Sequence, residues 1–222
     1  PVEKFNWRPT RPPVIPELWD ATCNPAAERF TTVCTWQNEG KDIQFRGQTY
    51  YWSKHINFLE LLELPRRTPQ PLELAVEGGD PATRQLLDPA TRELLTRHGW
   101  ILTDAFEASH SLTAYQQFIQ RSRGEFTVSK DLVVRTRCGW FSDRSVCYLA
   151  AGKPVVTQDT GFGRVVPTGA GLFAFSTMEE AVAALEEINR DYPFHSRAAR
   201  RIAEESFGAD RVLARLCREA DL

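Results

Sequence analysis

The chain has 222 residues, of which 42% are hydrophobic and 25% charged, and its formal net charge is −2. The length suits one large domain or two small ones with a well-buried core, and the composition is ordinary for a soluble globular protein. A charge this close to zero excludes a general attraction to nucleic acid or acidic membranes, and no apolar run reaches the ~20 residues that cross a bilayer.

The cysteine and histidine positions argue against a metal site. The five cysteines and four histidines are scattered, with no CxxC pair and no cluster at zinc-ligand spacing. Cysteines without a disulfide or metal pattern are typical of a reducing compartment. We therefore expect a cytoplasmic protein without a metal.

Residues 1–29 are predicted to form a linker. They include Pro9, Pro12, Pro13 and Pro16, which favour an extended, semi-rigid segment. The chain also begins without methionine, so we expect a further part of the protein to precede it. The remaining residues, 30–222, are predicted to form the folded domain.

The first elements of this domain are a strand, a hairpin and a helix. Residues 30–36 (FTTVCTW) are rich in β-branched and aromatic side chains and predict a strand. Residues 42–52 alternate around Gly47 like a hairpin or an aromatic loop. Residues 56–64 (INFLELLEL) have apolar side chains at helical spacing and predict a helix that ends before Pro65.

Strands and helices then alternate along the middle of the chain. A strand at 72–76 ends at Gly78-Gly79, and a helical region at 81–98 has a possible break at Pro89. The further predicted elements are a strand at 100–103, a helix at 112–119 and a strand at 126–129.

The stretch 137–162 (RCGWFSDRSVCYLAAGKPVVTQDTGF) is the most informative part of the sequence. It predicts a helix that Ser142 and Asp143 open and Gly152 ends, followed at once by the strand PVVTQ and a polar loop. Such a helix-to-strand step is one unit of an α/β sheet.

The C-terminal part predicts one more short strand at 172–175 and then helices. Thr177 and Glu180 have the spacing of a capping box, and an apolar stripe follows them. Further amphipathic helices are predicted at 196–207 and 210–220, separated by Gly208.

This alternation favours an α/β fold with a parallel sheet of about six strands covered by helices on both faces. In such sheets the ligand binds beyond the carboxyl ends of the strands. The loops 129–145 and 158–163 both follow strands, so we expect both at that edge.

The loop and helix start at 137–145 are typical of a phosphate site. Hydroxyls of Ser142 and Ser145 and the first amides of the helix would hold a diphosphate, while Arg144 or Arg137 balances its charge. An ordinary N-cap explains the same residues without a ligand. Asp143 fits beside a phosphate only if it faces a ribose hydroxyl or a basic partner.

Arg137-Cys138-Gly139-Trp140 and the run Leu149–Val156 together resemble the donor half of the GT-B glycosyltransferases. The resemblance covers roughly residues 30–220 and implies a Rossmann-like domain, the C-terminal half of a GT-B architecture. It implies that residues 1–29 are the interdomain linker and that the acceptor-binding N-terminal domain lies outside this chain. It also implies a nucleotide-sugar ligand and no metal cofactor.

Further site residues follow from the resemblance or from their place after a strand. Lys54 resembles the lysine that contacts the donor phosphates, although a solvated lysine at a helix start is an equal alternative. Ser129 and Lys130 follow a predicted strand, as do Asp159, Thr160 and Gly161, whose amides would meet the donor. A plain turn explains the last three equally well.

One feature of the resemblance is missing. Many retaining members of the fold carry two glutamates eight residues apart, and counting back from Gly152 places Gly139 and Cys147 at those positions. The details of donor binding therefore do not transfer, and no catalytic residue is assigned. The leading hypothesis is a glycosyltransferase donor-binding domain. The alternatives are a non-catalytic nucleotide-sugar-binding module and, more remotely, a sugar-nucleotide epimerase.

Overall fold

A computed structural model describes Lys4 and residues 8–38, 40–77 and 87–220. Within these residues six parallel strands form one sheet in the order β5-β4-β1-β6-β7-β8, and β2 and β3 form a separate antiparallel hairpin. The strands are β1 Phe30–Thr35, β2 Ile43–Phe45, β3 Gln48–Tyr50, β4 Leu72–Glu77, β5 Ile101–Asp104, β6 Gly124–Thr127, β7 Val155–Gln158 and β8 Leu172–Phe175.

Helices connect the strands and cover both faces of the sheet. They are α1 His55–Glu60, α2 Leu64–Arg67, α3 Pro89–Arg97, α4 Ala105–Ser109, α5 Leu112–Arg121, α6 Asp131–Thr136, α7 Asp143–Ala150, α8 Met178–Arg190, α9 Tyr192–Ile202 and α10 Ala209–Glu219. A π-helical turn, Ala203–Phe207, joins α9 to α10. None of the described helices is both long and apolar enough to span a lipid bilayer.

The sheet reverses its direction of growth between β1 and β6. From β1 the chain adds β4 and then β5 on one side, and it returns to add β6, β7 and β8 on the other. The carboxyl ends of β1 and β6 therefore separate two sets of loops, which leaves a crevice at this topological switch point. The predicted α/β parallel sheet is confirmed.

Two aromatic clusters fill the two layers between sheet and helices. On one face Trp36, Phe58, Trp100, Phe126 and Phe175 form a chain of ring contacts, with centroids 5.5–6.0 Å apart. On the other face Phe141 lies between Phe162 and Phe207 at 5.0 and 5.1 Å. Burial of these rings is a large part of the driving force that holds the helices on the sheet.

The segment before β1 packs against the C-terminal helices. Val14 is 7% exposed, its amide donates to the carbonyl of Phe207 at 2.9 Å, and its carbonyl accepts from the amide of Ala209 at 2.7 Å. The Arg200 guanidinium donates to the carbonyls of Pro16 and Trp19. The Arg11 guanidinium also donates to the carbonyls of Ser206 and Val165, so the chain is attached to the domain from residue 11 onward. Its role as an interdomain linker stays a prediction.

Several element boundaries differ from the sequence prediction. The predicted helix 56–64 ends at Glu60, and a separate short helix starts at Leu64 with Pro65 in its first turn, where a missing N–H costs nothing. The short helices α4 and α6 were not predicted because five or six residues carry no periodic signal. Gly78-Gly79 and the start of the predicted helix 81–98 lie outside the described residues.

Candidate functional site at the carboxyl edge of the sheet

A cavity of about 200 Å³ opens at the switch point, beyond the carboxyl ends of β1, β6 and β7. Its apolar wall is formed by Trp52, Val128, Val133, Trp140 and Phe141. Its polar lining is formed by Lys54, Thr127, Ser129, Lys130, Ser142, Arg144 and Thr157. The described lining thus carries three cationic side chains and no carboxylate, which suits an anionic ligand.

The N-terminus of α7 forms one side of the cavity. Ser142 is the N-cap residue by its extended backbone, yet its hydroxyl makes no capping bond within the described structure. The Asp143 carboxylate accepts from the amide of Arg144 at 3.0 Å instead. The Ser142 hydroxyl donates to the Asp143 carboxylate at 3.4 Å and lines the cavity beside a helix start that attracts anions.

Arg144 lies in the first turn of α7 and is held on three sides. Its guanidinium pairs with the Glu125 carboxylate, donates to the Val33 carbonyl at 2.9 Å and donates to the Thr127 hydroxyl at 2.9 Å. Burial opposes the charged form, but the adjacent Glu125 carboxylate raises the pKa of Arg144 above its ordinary value. Arg144 therefore supplies a fixed charge whose hydrogen-bonding capacity is largely used inside the protein.

Lys54 precedes α1 and reaches the cavity from the end of the segment that follows β3. Its ammonium group donates to the Thr127 hydroxyl at 3.4 Å. Burial lowers the pKa of Lys54 to about 7, and the positive charge of Arg144 adds to this effect. The amine is thus poised to take up a proton when an anion binds beside it.

Lys130 lies on another part of the cavity lining, at the N-cap of α6. Its ammonium group is 3.9 Å from the centre of the Trp52 ring, a cation–π contact. Burial lowers the pKa of Lys130, and the nearby Lys41 contributes in the same direction. Lys54 and Lys130 are therefore two cations on the lining without an ion-pair partner in the described part of the chain.

Main-chain contacts hold the segment with Trp52 and Lys54 in place. The Asp131 carboxylate of α6 accepts from the amide of Tyr51 at 3.0 Å, and the amide of Leu132 donates to the carbonyl of Tyr51 at 3.0 Å. On α6, Arg135 stacks on the ring of Tyr50. The aromatic cluster at 50–52 thus packs on α6 and places Trp52 on the cavity.

The loops after α6 and β7 are tied to each other. The amide of Gly139 donates to the carbonyl of Thr160 at 2.8 Å, and the Thr160 hydroxyl donates to the carbonyl of Trp140. Arg137 forms an ion pair with Asp159 at 2.7 Å. Gly161 has φ +89° and lies so close to Arg137 that a Cβ would be 3.0 Å from its carbonyl oxygen.

The structure therefore divides the predicted site residues into two groups. Lys54, Ser129, Lys130, Ser142 and Arg144 line one cavity. The others are not on its lining. Arg137, Gly139, Asp159, Thr160 and Gly161 build the adjoining loops, Asp143 faces solvent at the helix start, and Ser145 is 1% exposed. Their assignment to a ligand stays a prediction.

Three polar residues of this region, Thr127, Thr157 and Glu125, were not predicted as site residues. Thr127 is the last residue of β6, and Glu125 is a carboxylate that is completely buried two residues earlier. A glutamate within the short strand GEFT was a usable signal, because a buried strand holds a charge only when a partner is present. Among the described residues, no group of histidines, cysteines and carboxylates could hold a metal ion.

Comparison with known proteins relates this geometry to solved structures. No protein-family model and no curated protein sequence matches the chain. The glycosyltransferase AviGT4, involved in avilamycin A biosynthesis, superposes with a TM-score of 0.58 at 16% identity over 93% of this chain and 55% of its own. Alr3699/HepE from Anabaena, in complex with UDP and glucose, gives a TM-score of 0.59 at 13% identity over 94% and 55%.

A third similar structure extends the comparison to another activity. The sucrose-phosphate synthase of Thermosynechococcus elongatus gives a TM-score of 0.57 at 14% identity over 96% of this chain and 52% of its own. The chain thus spans about half the length of the solved structures that it matches. Identities this low show the fold alone. The chain has the fold of the C-terminal half of the GT-B glycosyltransferases, as its sequence resemblance predicted.

Proposed function

We propose that this chain is the donor-binding part of a glycosyltransferase and that the cavity at the switch point holds the diphosphate of a nucleotide sugar. The observation that carries the proposal is the convergence of Lys54, Lys130 and the start of α7 on one cavity without a carboxylate on its described lining. The position of the cavity in the fold supports it, because open parallel sheets bind ligands there.

The chemistry that these residues can supply is charge stabilisation. As the acceptor attacks the anomeric carbon, the sugar–phosphate bond breaks and negative charge grows on the departing diphosphate. Lys54, the Ser142 hydroxyl and the amides at the start of α7 are placed to stabilise that charge. No metal is required for this step in the proposed reaction. The acceptor and the group that activates it are assigned to a second, N-terminal domain.

A non-catalytic nucleotide-sugar-binding module is the second candidate. It is favoured by the residues at the positions of the expected glutamate pair. Gly139 is an exposed glycine in a loop, and Cys147 lies inside α7, where burial raises the pKa of its thiol to about 12. Neither can bind sugar hydroxyls as a carboxylate does. An epimerase remains the more remote alternative on the same fold resemblance.

Two measurements test the proposal. Thermal-shift titrations with UDP, GDP and dTDP should show stabilisation by at least one nucleotide, and stabilisation by none would exclude both binding candidates. A protein that also carries the acceptor half should then release free nucleotide from the matching nucleotide sugar when an acceptor is supplied. Binding without any such release would favour the non-catalytic module.

A further inference from the structure

One hydroxyl group connects two cations beside the cavity. The Thr127 oxygen accepts from the ammonium group of Lys54 at 3.4 Å and from the guanidinium of Arg144 at 2.9 Å. Its own proton is directed to the Val128 carbonyl at 3.2 Å. Lys54 and Arg144 are therefore close neighbours, and each charge acts on the other through a poorly hydrated interior.

A single carboxylate balances this pair of cations. The Glu125 side chain is completely buried, and its Oε1 accepts from Arg144 and, at 3.5 Å, from the Thr32 hydroxyl. Its Oε2 is buried without a hydrogen-bond partner in the described structure. Glu125 thus forms its ion pair with Arg144. The pKa of Lys54 depends on the difference between the effects of these two opposite charges.

The other ionisable groups that face Lys54 come from two further elements. Cys34 of β1 is buried, burial raises the pKa of its thiol, and Cys34 in turn raises the pKa of Lys54. Lys130, at the start of α6, opposes the charge on Lys54. Asp42 acts on the neighbouring His55. Among all these groups Arg144 has the largest electrostatic effect on Lys54, and Cys34 and then Glu125 counteract it.

We propose that Glu125 and Arg144 are positioning residues for ligand binding: their ion pair at the edge of the cavity sets the charge that Lys54 presents to the nucleotide-sugar diphosphate. The inference rests on the proposed function for the identity of the ligand. If the inference is right, Glu125 and Arg144 shift the protonation of Lys54 in opposite directions. Loss of the carboxylate makes Lys54 harder to protonate, and loss of the guanidinium makes it easier.

The test measures the charge state of Lys54 directly. Competitive labelling with acetic anhydride between pH 5.5 and 9.5, read by mass spectrometry, gives the midpoint at which Lys54 becomes reactive. The unmodified sequence should show a midpoint near pH 7. Glu125→Gln should lower the midpoint and Arg144→Gln should raise it, each by about one pH unit or more, the usual effect of a nearby charge.

Arg144→Lys is the matched control, because it keeps the positive charge and should leave the midpoint close to that of the unmodified sequence. A purely structural role predicts that Glu125→Gln and Arg144→Gln disturb Lys54 in the same direction. Shifts of the same sign, or no shift in either, would overturn the inference. If Glu125→Gln does not fold, as judged by circular dichroism, the labelling midpoints of Arg144→Gln and Arg144→Lys are compared instead. A higher midpoint in Arg144→Gln than in Arg144→Lys supports the inference, and equal midpoints overturn it.

A titration of the same proteins with UDP-glucose separates this inference from the proposed function. Its diphosphate diester has no titration near neutral pH, so a pH dependence reports on the protein. The pH at which affinity declines should move with the labelling midpoint of each variant. Labelling midpoints that move in opposite directions, without binding of UDP-, GDP- or dTDP-glucose to any of the proteins, would refute the proposed function and leave the charge coupling intact.

Discussion

At pH 7 the amine of Lys54 is close to the middle of its titration, because burial and Arg144 lower its pKa to about 7. An exposed lysine would be fully charged at this pH. The positive potential of the cavity therefore depends on pH. A bound anion would increase the fraction of Lys54 that is protonated. Lys54 is the residue on which the binding hypothesis depends most.

The first prediction concerns the pH dependence of Lys54. Between pH 7 and the ordinary lysine value of 10.5, the folded protein holds fewer protons on Lys54 than the unfolded chain does. The contribution of Lys54 to the free energy of unfolding therefore rises with pH in this window and is lost as the pH falls towards 7. Affinity for a nucleotide sugar should change in the opposite sense, since the diphosphate requires the charged amine.

Urea denaturation and calorimetric titration of the unmodified sequence and Lys54→Met, at several pH values, measure both trends. Lys54→Met should weaken binding near pH 6.5 by about 1.5–3 kcal/mol, the scale of hydrogen bonds to charged groups. Lys4→Met, an exposed lysine outside the cavity lining, is the control. If the affinity and the free energy of unfolding depended on pH in the same way in the unmodified sequence and in Lys54→Met, the role of Lys54 would be contradicted.

The second prediction separates Ser142 from Ser145. Ser142 lines the cavity, so Ser142→Ala should weaken nucleotide-sugar binding by about 1–3 kcal/mol. The Ser145 hydroxyl is buried without a hydrogen-bond partner in the described structure. Ser145→Ala should therefore leave the affinity unchanged and keep or raise the free energy of unfolding. Equal losses of affinity in both variants would show that Ser145 also reaches the ligand.

Among the elements, the two tied loops decide where α7 begins. The contacts between the segment at Gly139–Trp140 and Thr160 lie immediately before Ser142 along the chain. Thr160 is completely buried, so its hydroxyl serves the loop rather than solvent. The loop after β7 thus acts on the cavity indirectly, by fixing the position of the α7 N-terminus.

The third prediction tests this connection with Thr160→Val. The change removes a buried donor and leaves the Trp140 carbonyl without it, which should cost about 1–3 kcal/mol of unfolding free energy. Hydrogen exchange should also become faster in the segment 137–141. Thr168→Val, at an exposed threonine, is the matched control and should change neither quantity. Unchanged exchange in Thr160→Val would show that the loop is held by other contacts.

At this scale the sequence predicted the long, periodic elements well and the cavity only in part. The capping box of Thr177 and Glu180, the strand at 172–175 and the helix opened by Ser142 all occur as predicted. The inward orientation of Ser145 and the pairing of Arg144 with Glu125 were not predictable. Both depend on the rotation of α7 against β6, which contacts between distant residues determine.

For the whole molecule, the C-terminal helices and the segment before β1 complete the domain. Arg200 donates to the carbonyls of Pro16, Trp19 and Ala150, so a single guanidinium joins that segment, α9 and the end of α7. The cavity lies at the opposite end of α7. The segment before β1 is therefore joined through Arg200 to the C-terminal end of α7.

The fourth prediction tests that packing. Val14→Asp places a charge among buried apolar side chains and should lower the free energy of unfolding by about 2–4 kcal/mol. Thr10→Asp introduces the same charge at an exposed position of the same segment and should have little effect. Thermal denaturation measures both. Equal stability of the two variants would mean that the segment before β1 is not part of the folded unit.

The most direct test of the central claim is a calorimetric titration at pH 6.5 with UDP-glucose, the ligand of one of the structurally similar proteins, and with GDP- and dTDP-glucose. We predict saturable binding of at least one of them to a single site, weakened about tenfold or more in Lys54→Met. The absence of binding by all three, or an affinity that Lys54→Met leaves unchanged, would contradict the assignment of this cavity as a nucleotide-sugar site.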